Sequence, residues 1–235
     1  MLVVHQNILD LFTSFFMVIT YSVKLCNIYL TGSVGYLLCT FIISDSLIWL
    51  GSVGSVINLA AITIERYLKV VHAAWSQTKL RNWMLYSAMA FAWILPFITN
   101  VAAVIPTSAV MDGTCYPYYT IFTNETATLF YNISNVVLFY FVVLFIFIFC
   151  YWRILVVIGR QAKVMMTSHN AAGPCTAQTH AQIQSHQIQS NITKTMVFIS
   201  ALYAILWLPI NIHVLLIIVH PNQPVIDDLV GLDAR

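Results

Sequence analysis

An all-α integral membrane protein, a bundle of about five transmembrane helices, is the fold class this sequence predicts. Three observations predict it. Hydrophobic residues make up 60% of the 235 positions and charged ones only 8%, where soluble chains carry about 25% charged residues; mean hydropathy is +0.84. A helix needs roughly 20 apolar residues to cross a hydrocarbon core of about 30 Å, and five such stretches occur, at 2–23, 36–64, 83–105, 129–152 and 195–219. The Lys and Arg residues, finally, gather in two of the intervening segments.

The stretches are long and unbroken, without the ten-residue alternation of a membrane barrel, so helices are the expected form. The first carries His5, Gln6, Asn7 and Asp10, which suits a helix packed inside a bundle better than the apolar core of a signal peptide. Asp45 lies in the second, along with Gly51, Ser52, Gly54 and Ser55, a small face suited to close helix contact. At its inner end stands Ile64-Glu65-Arg66-Tyr67, a costly placement for an acid and a base. The last three stretches contain no acidic or basic residue. Between the fourth and fifth, residues 161–191 are rich in Gln, His, Thr and Ser and read as a mobile cytoplasmic loop. One domain, 1–235, is expected.

Arg66, Lys69, Lys79 and Arg81 fall between the second and third stretches, and Arg153, Arg160, Lys163 and Lys194 between the fourth and fifth. Only Lys24 and Arg235 fall on the other side, so the two basic segments are expected in the cytosol, with Met1 cytosolic and Arg235 outside. The net charge of +2 is thus a membrane-orientation signal and gives no reason to expect nucleic acid. Cys39 and Cys115 both face the outer, oxidising side, where a bridge is chemically allowed and two free thiols are the alternative. Of the sequons, Asn124 is the one placed for glycosylation in an outer loop. No phosphate loop, His-Glu-x-x-His or nucleophile with a placed base occurs, and the His residues outline no metal cage; no enzyme is expected.

Several features in order carry a resemblance: Asp10 in the first stretch, Cys39 and Cys115, Glu65-Arg66-Tyr67, Trp93, Tyr151, and Leu206-Trp207-Leu208-Pro209. The chain resembles the rhodopsin-like G-protein-coupled receptors from family helix two to just past helix six. Helices one and seven, and the Asn-Pro-x-x-Tyr motif, have no counterpart, so a receptor domain lacking those helices is the expectation. Val143 and Ala73 stand where the family has prolines, and Leu206 replaces a Cys. The spacing from Cys39 to Arg66 is slightly longer than the family's, which predicts a different entry into helix three.

The resemblance implies a Cys39–Cys115 disulfide and a sodium site at Asp10 with Ser55 as a ligand; a structural hydrogen bond at Asp10 is the other reading. It implies a G-protein coupling and activation switch of Glu65, Arg66, Tyr67, Tyr151, Trp207 and Pro209. Arg66 would be held by an ion pair with Glu65 until freed, whereas a snorkelling interfacial pair is the plainer alternative. Pro209 should kink its helix; Trp207 reads as a ligand-displaced switch or a packed core aromatic, and Tyr151 as a switch or an interfacial aromatic.

The ligand pocket is expected among Asp45, Ile48, Trp49, Tyr118, Asn211 and His213. Ile48 falls where amine receptors of the family place an Asp, which argues against a small amine and leaves a peptide open. The implied partners are an extracellular ligand, a heterotrimeric G protein and the bilayer. Competing classes are a truncated receptor that modulates full-length partners without signalling, and a transporter or channel fragment.

Overall fold

A bilayer offers no partner to backbone N–H and C=O groups, so an apolar chain must satisfy them within its own helices. The computed structural model shows this for residues 1–26, 28–72, 75–76, 82–117, 125–171, 191, 193–209, 211–212 and 216, the residues it describes. Helix α1 is Leu2–Leu25, α2 runs over Gly32–Val71, α3 over Asn82–Ala102, α4 over residues 125–171 and α5 over Thr193–Pro209. The first four are long and apolar enough to cross a membrane, with a crossing segment Ile133–Arg160 in α4; α5 is a shorter apolar helix over its described length.

Helix α2 is the centre of the bundle. It packs against α1, α3 and α4, and 56% of its most apolar window is buried against 11% for α1. The small face read from the sequence makes this closeness feasible: Gly51 lies against Thr13 and Phe12 of α1, and Gly54 against the Ala92 carbonyl of α3 and Leu9 of α1. On the other side Leu59, Phe147, Tyr151, Ile154 and Tyr203 join α2, α4 and α5 in one apolar cluster.

The helices are interrupted at identifiable places. In α2 a π-helical segment, Cys39–Ile43, is followed by Asp45 in the left-handed region at φ 59°. The Ser44 and Ser46 hydroxyls donate to the Thr40 carbonyl, at 2.5 and 2.8 Å, and so cap the backbone group this break exposes. A π turn and a left-handed residue consume more residues per unit of advance than a regular helix. The long Cys39-to-Arg66 spacing is absorbed there. In α3, Pro96 opens a second π segment, Phe97–Ala102, and the Thr99 and Asn100 side chains bond the Leu95 and Pro96 carbonyls at 3.0 and 3.1 Å. Helix α4 carries a third, Val137–Phe141, without any proline.

Between α3 and α4 a two-stranded antiparallel hairpin pairs β1, Ala109–Met111, with β2, Thr114–Tyr116. Asp112 and Gly113, both at positive φ, make its turn.

One boundary differs from the sequence expectation. Residues 161–171 continue helix α4 to Ala171 instead of opening the loop expected at 161–191. Polar composition does not end a helix whose backbone bonds continue; only a breaker or a lost donor does. Residues 172–190 lie outside the described part, as do Tyr118, Asn124 and His213.

Candidate functional site

Polar side chains on apolar helices gather where they can satisfy one another, because a lone one in hydrocarbon is expensive. At the crossing of α1, α2 and α3 they form one directional relay. Trp93 Nε1 donates to His5 Nε2 at 2.8 Å. The other ring nitrogen, Nδ1, therefore carries the hydrogen and donates to Asn58 Oδ1 at 2.9 Å. Asn58 Nδ2 donates to the Leu2 carbonyl at 3.0 Å and to Gln6 Oε1 at 2.8 Å. Gln6 Nε2 donates to Asp10 Oδ1 at 3.1 Å and to Ser55 Oγ, and Ser55 Oγ donates to Asp10 Oδ1 at 2.7 Å. Apart from the branch to the Leu2 carbonyl, the donors run in one direction, from Trp93 to the Asp10 carboxylate. Asp10 and Ser55, paired in the sequence reading, do meet, with the Gln6 amide bonded to both. Asn58, fully buried at 0% exposure, was not singled out, although a lone Asn in an apolar helix is the signal that would have found it.

At the inner end of α2, Glu65 and Arg66 do not pair, contrary to expectation. Glu65 Oε1 takes Lys69 Nζ at 2.5 Å instead. Adjacent residues on a helix point about 100° apart, whereas residues four apart share a face, so geometry favours Lys69. The Arg66 Nε is buried and without a hydrogen-bond partner among the described residues. Tyr67 packs edge-on against His72 at 5.6 Å and against Phe149 of α4 at 5.9 Å.

Tyr151 is not an interfacial aromatic. It is buried, and its hydroxyl meets Thr63 Oγ1 of α2 at 3.0 Å and accepts from Ser200 Oγ of α5 at 3.1 Å. One phenol thus joins three helices. The Tyr203 hydroxyl of α5 donates to the Phe139 carbonyl at 2.5 Å, and Tyr140 Oη to the Ala204 carbonyl at 3.2 Å, so α4 and α5 are tied by reciprocal bonds at the third π segment.

Trp207 stacks obliquely on Trp49 of α2 at 5.7 Å and on Tyr203 at 6.0 Å. Asn211 Nδ2 donates to the Trp207 carbonyl at 2.6 Å, next to Pro209, which supplies no N–H of its own. Asp10, Ser55, Tyr203 and Trp207 share one open cleft of about 240 Å³. It is below the range of about 300 to 1,000 Å³ that small-molecule pockets occupy. The polar relay and the aromatic pair therefore face a common space that suits a moving joint better than a bound ligand.

Of the expected pocket residues, Trp49 and Asn211 both associate with Trp207, and Ile48 is half-buried on the same helix. Asp45 is drawn elsewhere: its carboxylate forms an ion pair with Lys24 of α1 at 2.8 Å, because the left-handed break aims it off the regular helical path. Cys39 and Cys115 are joined by a disulfide, Cα to Cα 5.4 Å. It pins the hairpin to the start of α2, helped by the Leu30 N–H bonding the Gly113 carbonyl at 3.1 Å.

A helical membrane bundle with a disulfide-tied hairpin at one end and, near the other, an arginine whose Nε is buried without a partner among the described residues is the architecture of a multi-pass membrane receptor. The chain belongs to the rhodopsin family of seven-transmembrane receptors: the family described as "7 transmembrane receptor (rhodopsin family)" matches residues 2–230. Among curated proteins it is similar to the melatonin receptor type 1B of Gallus gallus, 24% identical over 181 residues, covering 77% of this chain and 57% of that protein. Melatonin receptor type 1C of Gallus gallus is 28% identical over 184 residues, covering 77% and 48%. Melatonin receptor type 1A of Gallus gallus is 26% identical over 208 residues, covering 86% and 53%. The chain spans about half the length of the curated relatives it matches.

Proposed function

We propose that this chain forms the core of a receptor that senses a small extracellular ligand of the melatonin kind and passes the signal to a heterotrimeric G protein at its Arg66 end. The observation that carries the proposal is the unbroken set of contacts between the two ends. Trp49 and Trp207 touch at the outer part of α2 and α5, Tyr203 continues from Trp207, and Tyr151 joins α2, α4 and α5 one tier further in, three residues along α2 from Arg66. A ligand that displaces Trp207 would bias the tilt of α5, and that tilt decides whether the Tyr151 hydroxyl keeps both its partners.

The orientation follows from chemistry. A disulfide persists on the oxidising side, which supports an extracellular hairpin and a cytosolic Arg66. For ligand class, the names of the relatives lend no support to a peptide. Ile48 offers no charge, and Asp45 is neutralised by Lys24, so the expected outer ligand site presents no free carboxylate for an ammonium and favours a neutral ligand.

The test is radiolabelled melatonin binding to membranes that contain the full chain, together with ligand-driven G-protein activation in the same cells. Saturable binding that is lost in Trp49→Ala supports the ligand reading. Activation that disappears in Arg66→Ala while binding persists supports the coupling reading. A well-expressed chain that neither binds nor activates would refute the proposal.

A further inference from the structure

The sodium ion that the resemblance implies at Asp10 and Ser55 does not fit the residues present. A cation there needs the Asp10 carboxylate and Ser55 oxygen to face it. Both instead face the Gln6 carboxamide nitrogen, which donates to Asp10 Oδ1 at 3.1 Å, to Oδ2 at 3.4 Å and to Ser55 Oγ. An N–H donor presents positive charge, as a cation would, and it cannot serve as a metal ligand.

The amide is not free to turn over. Reversed, its oxygen would lie against a carboxylate, which accepts only, and its nitrogen would face Asn58 Nδ2, itself a donor, which now sits 2.8 Å from Oε1. Asn58 is fixed in turn, because its Oδ1 accepts from His5 Nδ1 and its Nδ2 also holds the Leu2 carbonyl. His5 is fixed by the indole N–H of Trp93. The orientation of Gln6 is therefore set by four residues behind it, down to a Trp whose nitrogen can only donate.

We infer that Gln6 is a built-in replacement for the cation: its carboxamide bridges Asp10 and Ser55 and makes this receptor core insensitive to sodium. The inference does not depend on which ligand the receptor binds.

The experiment is thermal unfolding of the purified full chain in sodium chloride against choline chloride at equal ionic strength. The wild-type midpoint should be the same in both salts. Gln6→Leu, which removes the amide and leaves the carboxylate, should gain a sodium-specific rise of roughly 3 to 6 °C at sodium ten times its dissociation constant, and Asp10→Asn in that background should abolish the gain. Gln6→Met, of similar length and apolar, serves as the second variant should the first fail to fold. A sodium-specific rise in the wild type that Asp10→Asn removes would overturn the inference, and so would folded Gln6 variants that remain indifferent to sodium.

Discussion

Gly54 of α2 lies against both α1 and α3, so adding one methyl group there measures how tightly the bundle is packed. A Cβ at this position would lie 2.7 Å from the Ala92 carbonyl oxygen and 3.2 Å from Leu9 Cδ2. Ordinary contact begins at 3.4 Å. Helices α2 and α3 must therefore part by about 0.7 Å, since a backbone carbonyl cannot swing aside as a side-chain end does. A gap of that size forfeits about a quarter to a half of each contact's dispersion energy along the seam. Overpacking of this kind costs about 1 to 3 kcal/mol. Alanine is also the better helix former by about 1 kcal/mol, which would blur the reading of one mutant alone. Gly159 supplies the control, because a Cβ there meets nothing within 4 Å. Gly54→Ala and Gly159→Ala share the propensity gain, and their difference isolates the steric cost. The assay is thermal unfolding followed with a thiol-reactive fluorophore. Among the described free cysteines, exposed Cys26 reacts at the outset, while buried Cys150 becomes reactive on unfolding. Gly54→Ala should unfold about 2 to 12 °C below Gly159→Ala. Equal midpoints, or a higher one for Gly54→Ala, would refute the close packing of α2 on α3.

Other perturbations separate the remaining features. Asn58→Leu strands the His5 N–H and Gln6 Oε1 together, while the Leu2 carbonyl keeps its helical bond; at about 1 to 3 kcal/mol for each buried unsatisfied group it should lower stability by more than about 2 kcal/mol in the same unfolding assay. Tyr151→Phe should cost only about 1 kcal/mol, because Thr63 keeps its bond to the Leu59 carbonyl at 2.9 Å and only Ser200 loses its partner; a midpoint drop of roughly 2 to 4 °C is expected. Lys24→Ala removes a pair whose side chains are 37% and 35% exposed, so the loss should stay under about 1 kcal/mol and shrink further in high salt. Cys115→Ser opens a link between residues 76 apart, and a loss of about 2 to 4 kcal/mol is expected from unfolding curves recorded without reductant.

The sequence by itself determined the class, the number of apolar stretches, the small face of α2 and the two cysteines available to pair. These follow from composition and spacing along one chain, because a bilayer excludes charge and demands length whatever the neighbouring helices do. The tertiary structure alone decided who partners whom. Glu65 chose Lys69 over the adjacent Arg66, Asp45 was drawn to Lys24, and Gln6 lodged between Asp10 and Ser55. The breaks in α2 and α3 likewise depended on where side-chain hydroxyls and amides could recover lost carbonyls. Partner choice depends on the angle at which a side chain leaves its helix and on the register of the helix opposite, and hydropathy summed along a chain contains neither.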